Sequence, residues 1–226
     1  MRRVLFFGII GVGGAAILLW LGFWQMQRLE WKLGVIADID ARIKAAPIPL
    51  PDVLDPVQDA YLPVEIRGVV ASEYLRVLVS QKEIGAGYRI ISAMDMGGRR
   101  VLLDRGFTPV DQLDIPAHEG SETVQGNLQW PQETDGFTPE PDINENIWFA
   151  RDVAAMAEAL NTDEVLVVAK QTSFDDAPVS PLPVDTSAIP NDHLQYAITW
   201  FSLAAIWIAM TLAFTLRARR APKQTS

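Results

Sequence analysis

The residues best suited to ligand-binding chemistry lie at the start of the second of two long apolar runs. His193 directly precedes the run from Leu194 to Leu216, and Tyr196 and Trp200 follow it at helical spacing. Side chains three and four positions apart share one face of an α-helix. An imidazole is the commonest metal ligand among side chains, and indole and phenol rings offer flat apolar surfaces. This face is therefore a candidate binding site, with His193 as its candidate metal ligand.

A second candidate pair lies near the end of the first apolar run. Trp24 and Arg28 are one helical turn apart, and a guanidinium can bind a carboxylate in bidentate fashion. The alternative is structural, because tryptophan and tyrosine form belts at membrane interfaces and arginine anchors helix ends to lipid headgroups. The residues alone leave both interpretations open.

Composition excludes several other kinds of site. The chain has no cysteine, which removes disulfides, thiolate metal sites and covalent attachment of a c-type haem. Two histidines are too few for a multi-histidine zinc centre. The sequence has no serine in a nucleophile elbow and no glycine-rich phosphate loop, so nothing in it indicates an enzyme. His118 lies among polar residues and is predicted to be a solvated loop residue.

Both apolar runs predict transmembrane helices. Val4 to Trp24 contains 21 uncharged residues and Leu194 to Leu216 contains 23, and roughly 20 residues cross a hydrocarbon core. A cleaved signal peptide is the alternative for the first run, but bulky residues follow it and no small-residue cleavage site is present. A stripe of small residues predicts packing between the two helices; it consists of Ala205, Ala209 and Ala213, matched by Gly11 and Ala15.

The distribution of charge predicts the orientation. Four basic residues follow the second run, namely Arg217, Arg219, Arg220 and Lys223, and this predicts a cytoplasmic C-terminus. Two spans then place the N-terminus on the same side. The segment 28–192 holds all 28 acidic and 13 basic residues, a net charge of −15, and the ends hold six basic residues and no acid. An anionic domain repels phosphate, so nucleic acid is not expected as a partner.

The middle of the chain predicts one α+β domain with mainly antiparallel strands on the extracytoplasmic side. Proline-rich joints bound it, and the first helix is expected to continue toward Ile43 before the first joint. Alternation predicts two strands between Val64 and Ser80, with a turn at 85–87. Gly97-Gly98 predicts a hairpin, and Asp152 is placed to cap a helix that ends at Leu160. Further strands are expected at 124–130 and 164–170.

The predicted domain organisation follows from these segments. It consists of a cytoplasmic N-terminus at 1–3, a first span at 4–24, a helix extension and proline-rich joint at 25–63, a periplasmic α+β domain at 64–174, a second joint at 175–193, a second span at 194–216 and a cytoplasmic basic tail at 217–226.

Three ordered segments resemble a known family. They are LGFWQMQRLEWK at 21–32, VLLDRGFTP at 101–109 and NDHLQYAITWF at 191–201. Together they resemble the Surfeit locus protein family of cytochrome c oxidase assembly factors, whose pattern reads G-x-W-Q-x-x-R-x-x-W-K, then R-G-W-[VI]-P, then N-x-H-L-x-Y-x-x-T-W. The resemblance spans nearly the whole chain, including residues 146–152 and Met156. One departure is Phe107-Thr108, where the family has tryptophan followed by valine or isoleucine.

The resemblance implies a function without catalysis: transient binding of haem a and its supply to the catalytic subunit of an aa3-type oxidase. It also implies that His193 takes part in haem binding. The catalytic subunit is then the expected partner, with haem a synthase and a second copy of the chain as open additions. The expected location is a bacterial inner membrane, because no transit peptide precedes Val4.

The soluble domain is then expected to dock a partner. The segment Leu103–Pro109 presents Arg105 and an aromatic residue, Phe107, and these residue types dominate interface energetics. The alternative is that Phe107 belongs to the core and that Arg105 neutralises Asp104. A rival function for the whole chain is a membrane-anchored periplasmic scaffold or sensor that binds protein without haem. A membrane-tethered hydrolase is less favoured.

Overall fold

The computed structural model describes residues 2–81, 85–187 and 189–220. The chain forms two compact units. One consists of 1–38 together with 187–226, and the other of 39–186.

The first unit contains the two long helices. α1 runs from Arg2 to Ile43 and α3 from His193 to Arg220. Within the described residues, these two helices are long and apolar enough to cross a membrane. At about 1.5 Å per residue, α1 exceeds the thickness of a hydrocarbon core and therefore continues beyond it. It ends at Ile43, the residue toward which its continuation is predicted.

The second unit is a sheet with one short helix. Its elements in chain order are β1 (Ile48–Pro49), β2 (Pro63–Gln81), β3 (Gly85–Asp95), β4 (Arg100–Pro109), β5 (Glu122–Gln129), β6 (Ile147–Trp148), α2 (Val153–Leu160) and β7 (Leu166–Thr172). The side chain of Asp152 accepts a bond from the backbone N–H of Ala155 and so caps α2 as predicted. Two spanning helices that flank a mainly antiparallel α+β domain are confirmed.

Five strands close into a barrel in the order β2-β3-β4-β7-β5, and β5 returns to β2. The length of β2 makes this closure possible: its first part, Pro63–Gly68, pairs with β5, and its remainder pairs with β3. The β4–β7 pairing is parallel, and the other four pairings of the ring are antiparallel. Closure removes exposed sheet edges.

Alternate residues of the strands fill two apolar layers. One cluster draws on all five strands and fills the barrel, with Val64, Met94, Leu103, Leu128 and Val167 among its members. The other lies on the outer face, where Val153, Met156, Ala157 and Leu160 of α2 cover the barrel. This alternation is the expected consequence of the two-residue period of a strand.

Two local predictions are wrong. The segment between Val64 and Ser80 is one strand rather than two, because it pairs with β5 at one end and β3 at the other. The expected turn at 85–87 is the beginning of β3, where Gly85, Ala86 and Gly87 pair with residues 79–81. Small residues at strand positions produced the false turn signal.

Candidate functional site

Helices α1 and α3 pack in antiparallel fashion along a seam of small residues. A Cβ atom at Gly14 would lie 2.6 Å from the indole nitrogen of Trp207, and one at Gly22 would lie 2.6 Å from Cε1 of Phe201. Trp207 Nε1 also donates to the carbonyl of Gly11 at 2.9 Å. Glycine at these positions lets the two backbones approach closely.

The predicted small-residue stripe is wrong for α3. Ala205, Ala209 and Ala213 are exposed, whereas Ala197 and Ala204 are buried. The two buried alanines are seven positions apart, which is the repeat of an antiparallel helix pair. On α1, the prediction that Gly11 packs between the two helices is confirmed, because Gly11 is buried and faces Thr211.

His193 lies at the end of this seam and is held by Gln25 of α1. His193 Nδ1 and Gln25 Oε1 are 2.8 Å apart. Gln25 retains only 9% of its accessible surface, and His193 is half-buried. Gly22 lies three residues before Gln25, and Ala197 lies four residues after His193. The small residues therefore flank the contact on both helices.

The other four predicted binding residues lie on the same two helices, and three of them are exposed. Trp24 is 42% and Tyr196 is 56% exposed, Arg28 is exposed, and Trp200 is half-buried. The guanidinium of Arg28 lies 4.8 Å above the ring of Trp31. Among the described residues, no side-chain hydrogen bond, ion pair or ring contact joins any two of His193, Tyr196, Trp200, Trp24 and Arg28.

These side chains fit a haem. Imidazole is the ordinary axial ligand of haem iron, and within the described residues only Nδ1 of His193 is hydrogen-bonded, which leaves Nε2 open. Exposed indole and phenol rings can cover a porphyrin, and an exposed guanidinium can pair with a propionate. The arrangement could supply one iron ligand from this unit, the Nε2 atom of His193.

The expected docking segment in the soluble domain is buried. Arg105 is 1% and Phe107 is 4% exposed, so the premise of an exposed aromatic residue at a strand exit is wrong. The backbone N–H of Phe107 donates to Ser180, and that of Ser180 donates to Phe107, both at 2.8 Å. Phe107 is therefore a core residue, as the alternative interpretation held.

A bulge in β4 explains the Asp-Arg-Gly-Phe segment. Asp104 pairs with Ile91 and Gly106 with Ile90, so Arg105 is the additional residue. Gly106 has φ of +126°, and a Cβ atom there would collide with the backbone of Ser180. Only glycine meets both conditions without strain.

Arg105 binds Asp176 rather than Asp104. Its Nε donates to Asp176 Oδ2 at 2.9 Å, and its Nη2 donates to Asp176 Oδ1. His118 Nε2 lies 2.9 Å from the same carboxylate, and its ring packs against Phe174 at a tilt of 45°, with centroids 4.2 Å apart. With only 9% of its side chain exposed, His118 is not the solvated loop residue that was predicted.

Asp104 belongs to a separate network. Arg89 Nη1 donates to Asp104 Oδ2 at 2.5 Å, and Arg151 Nη1 lies 3.7 Å from the same oxygen. Full burial raises the pKa of Asp104, and the two guanidinium groups act against that rise. Arg151 also binds Glu133 through Nη2 at 2.5 Å. The alternative interpretation is therefore wrong in pairing Arg105 with Asp104, although it is right about Phe107.

Sequence reasoning assigned no role to Gln25, Asp176 or Arg151. For Gln25 a signal existed, because a glutamine directly after an apolar run, at the level of His193, needs a polar partner. Asp176 lies 71 positions from Arg105. No spacing rule connects residues so far apart in the chain.

Comparison with known proteins gives a consistent result. Residues 13–205 match the model of the SURF1 family. Surfeit locus protein 1 of Rattus norvegicus is 30% identical over 209 residues, which cover 82% of this chain and 68% of the relative. The human protein of that name is 30% identical over 210 residues, covering 82% and 69%. A SURF1-like protein of Rickettsia felis is 26% identical over 209 residues, covering 88% and 92%. All five candidate haem-binding residues lie inside the matched segment.

Proposed function

The chain belongs to the SURF1 family, and from this premise we propose that it is an assembly factor for an aa3-type cytochrome c oxidase. It binds haem a transiently and helps its insertion into the catalytic subunit. No reaction takes place on the chain, so it acts as a carrier rather than as an enzyme.

The observation that carries the proposal is the position of His193. It is the first residue of α3 and is bonded through Nδ1 to Gln25, whose neighbour Trp24 is exposed, as is Tyr196 in the first turn of α3. His193 would hold the iron through Nε2. Trp24, Tyr196 and Trp200 would cover the porphyrin, and the exposed guanidinium of Arg28 would pair with a propionate.

A single histidine suits a carrier that must release its cargo. The chain has two histidines, and the other, His118, is buried against Asp176 in the second unit. A haem held by one protein ligand would be easier to release to the oxidase than one held by two. Haem a supplies its redox chemistry only after transfer, and these residues bind it, orient it and shield it from water.

The proposed location is a bacterial inner membrane, with both termini cytoplasmic and the domain between the helices periplasmic. The basic residues after α3 support this orientation. Antiparallel packing of α1 and α3 is consistent with two complete crossings. The catalytic subunit of the oxidase is the proposed partner.

A reporter active only in the periplasm tests the orientation. Gly136 is a suitable insertion site because a side chain there would meet open space, whereas an insertion at Pro181 would disturb the Phe107–Ser180 pairing. The insertion at Gly136 should be active and a fusion after Ser226 inactive. The reverse pattern would contradict the orientation.

Oxidase content of membranes tests the function. A strain that lacks this protein should show a reduced aa3 absorbance, which the wild-type gene restores and His193→Ala does not. Leu194→Ala, an adjacent exposed position, is the matched control and should restore it fully. Full restoration by His193→Ala, with equal protein in the membrane, would overturn the proposed role of the haem site.

A further inference from the structure

We propose that Gln25 is a positioning residue that sets the tautomer of His193 and so keeps its Nε2 available as the ligand atom. The inference rests on the proposed function. Its structural basis is one polar contact between α1 and α3, the 2.8 Å separation of Gln25 Oε1 and His193 Nδ1.

The chemistry of the two atoms determines the direction of the bond. A side-chain amide oxygen has no proton, so Nδ1 of His193 must be the donor. A neutral imidazole has only one N–H group. When Nδ1 carries it, Nε2 keeps its lone pair and can coordinate iron. Neutral histidine in water favours the opposite tautomer, in which Nε2 is protonated and cannot coordinate.

The surroundings of Gln25 strengthen its effect on the tautomer of His193. Gln25 is 91% buried, and an unpaired amide or imidazole N–H in an apolar environment is costly. Gly22 and Ala197 bring the two helices together on either side of the contact. Both partners are therefore held in register by packing, and hydrogen bonds of this kind raise the metal affinity of histidine.

Nitrogen-15 NMR of the full chain in detergent micelles measures the tautomer directly, without haem. The chain has two histidines, and the loss of signals in His193→Ala assigns those of His193. At about pH 8, above the ordinary pKa of imidazole, Nδ1 of His193 should show the shift of a protonated nitrogen and Nε2 that of an unprotonated one. Gln25→Leu should move the population toward the Nε2–H tautomer, and Gln25→Glu, which keeps an acceptor, should preserve Nδ1–H.

Haem binding provides the second measurement. Titration with haem a should show affinity about 10- to 100-fold lower for Gln25→Leu than for the wild-type chain. Losing the hydrogen bond that orients a metal-binding histidine typically lowers metal affinity by that factor. Gln27→Leu is the matched control, since Gln27 is exposed on the same helix, and it should bind like the wild type. Gln25→Glu should recover most of the affinity.

The outcomes separate the two proposals. Protonated Nε2 in the wild-type chain would mean that the Gln25 amide faces His193 with its NH₂ group, and the inference would be overturned whether or not haem binds. An unchanged tautomer and affinity in Gln25→Leu would overturn it as well. The expected tautomer in a chain that takes up no haem would overturn the proposed function, and the positioning role with it.

Discussion

At the scale of single residues, buried charges stabilise the irregular end of β4. Arg105 donates two bonds to Asp176 and a third to the carbonyl of Pro116, in a site with almost no solvent exposure. Removal of one partner leaves an unpaired buried charge, which costs about 3–5 kcal/mol. Arg105→Ala should therefore lower the free energy of unfolding by that amount, as measured by urea titration of the solubilised chain with near-ultraviolet circular dichroism.

Arg67→Ala is the control for this prediction. Arg67 is exposed on β2, and its removal should change stability by no more than about 0.5 kcal/mol. Equal effects of the two substitutions would contradict a structural role for the Arg105–Asp176 pair.

The pair of Glu133 with Arg151 predicts a dependence on pH. Although burial raises the pKa of Glu133, bonds from Arg151 lower it below the ordinary value of 4.5. A lowered folded-state pKa contributes stability above pH 4.5, and that contribution is lost as the pH falls through the folded value. Glu133→Gln should therefore be less stable than the wild type at pH 7, with a smaller loss on acidification below about pH 4.5.

Thermal unfolding of both proteins across this pH range measures the effect. The difference in melting temperature between wild type and Glu133→Gln should shrink as the pH falls. A constant difference would show that the carboxylate does not titrate with folding.

At the scale of elements, the packing of α1 against α3 is open to a cross-linking test. A Cβ atom at Gly11 would lie 3.0 Å from Cβ of Thr211, so a small separation of the helices, about 0.5–1 Å, brings the two positions to the spacing of a disulfide. The chain has no cysteine, so Gly11→Cys with Thr211→Cys should form one intramolecular disulfide under mild oxidation. Proteolysis in the intervening domain should then leave the terminal fragments joined until reduction.

Gly13→Cys with Thr211→Cys supplies the negative control. Gly13 is near Gly11 in the chain, but a side chain there meets open space. Equal cross-linking of both pairs would contradict the assigned seam.

The sequence predicted features that depend on neighbouring residues. It did not predict features that depend on contacts between residues far apart in the chain. Gly97-Gly98 and the Asp152 cap are determined by neighbouring residues, and both are confirmed. The burial of Phe107 depends on Ser180, which lies far along the chain. Closure of the barrel depends in the same way on β2 pairing with two different strands.

In the candidate site, too, the local feature could be predicted and the long-range contact could not. The motif around His193 and its helical spacing are local, so the residue could be identified from sequence. Its contact with Gln25 joins positions 168 residues apart and depends on the packing of two helices. The glutamine was visible as a motif residue, but its role required the helix register.

At the scale of the whole molecule, the chain consists of two compact units. The haem-binding candidates belong to the unit of 1–38 and 187–226, and the barrel belongs to 39–186. The acidic residues lie between the apolar runs, and the basic ends flank them. On the proposed function, variants of the barrel interior should impair folding of the domain, whereas variants of the candidate haem-binding residues should impair haem binding alone.

The central claim is that His193 binds haem a, and the visible spectrum of the purified chain tests it most directly. Full-length wild-type protein and His193→Ala should be purified from a host that makes haem a, and the haem-to-protein ratio measured for each. The account predicts a haem a spectrum for the wild type and loss of most of it in His193→Ala, with the circular dichroism of both proteins alike. Equal haem in the two proteins, or none in the wild type, would contradict it.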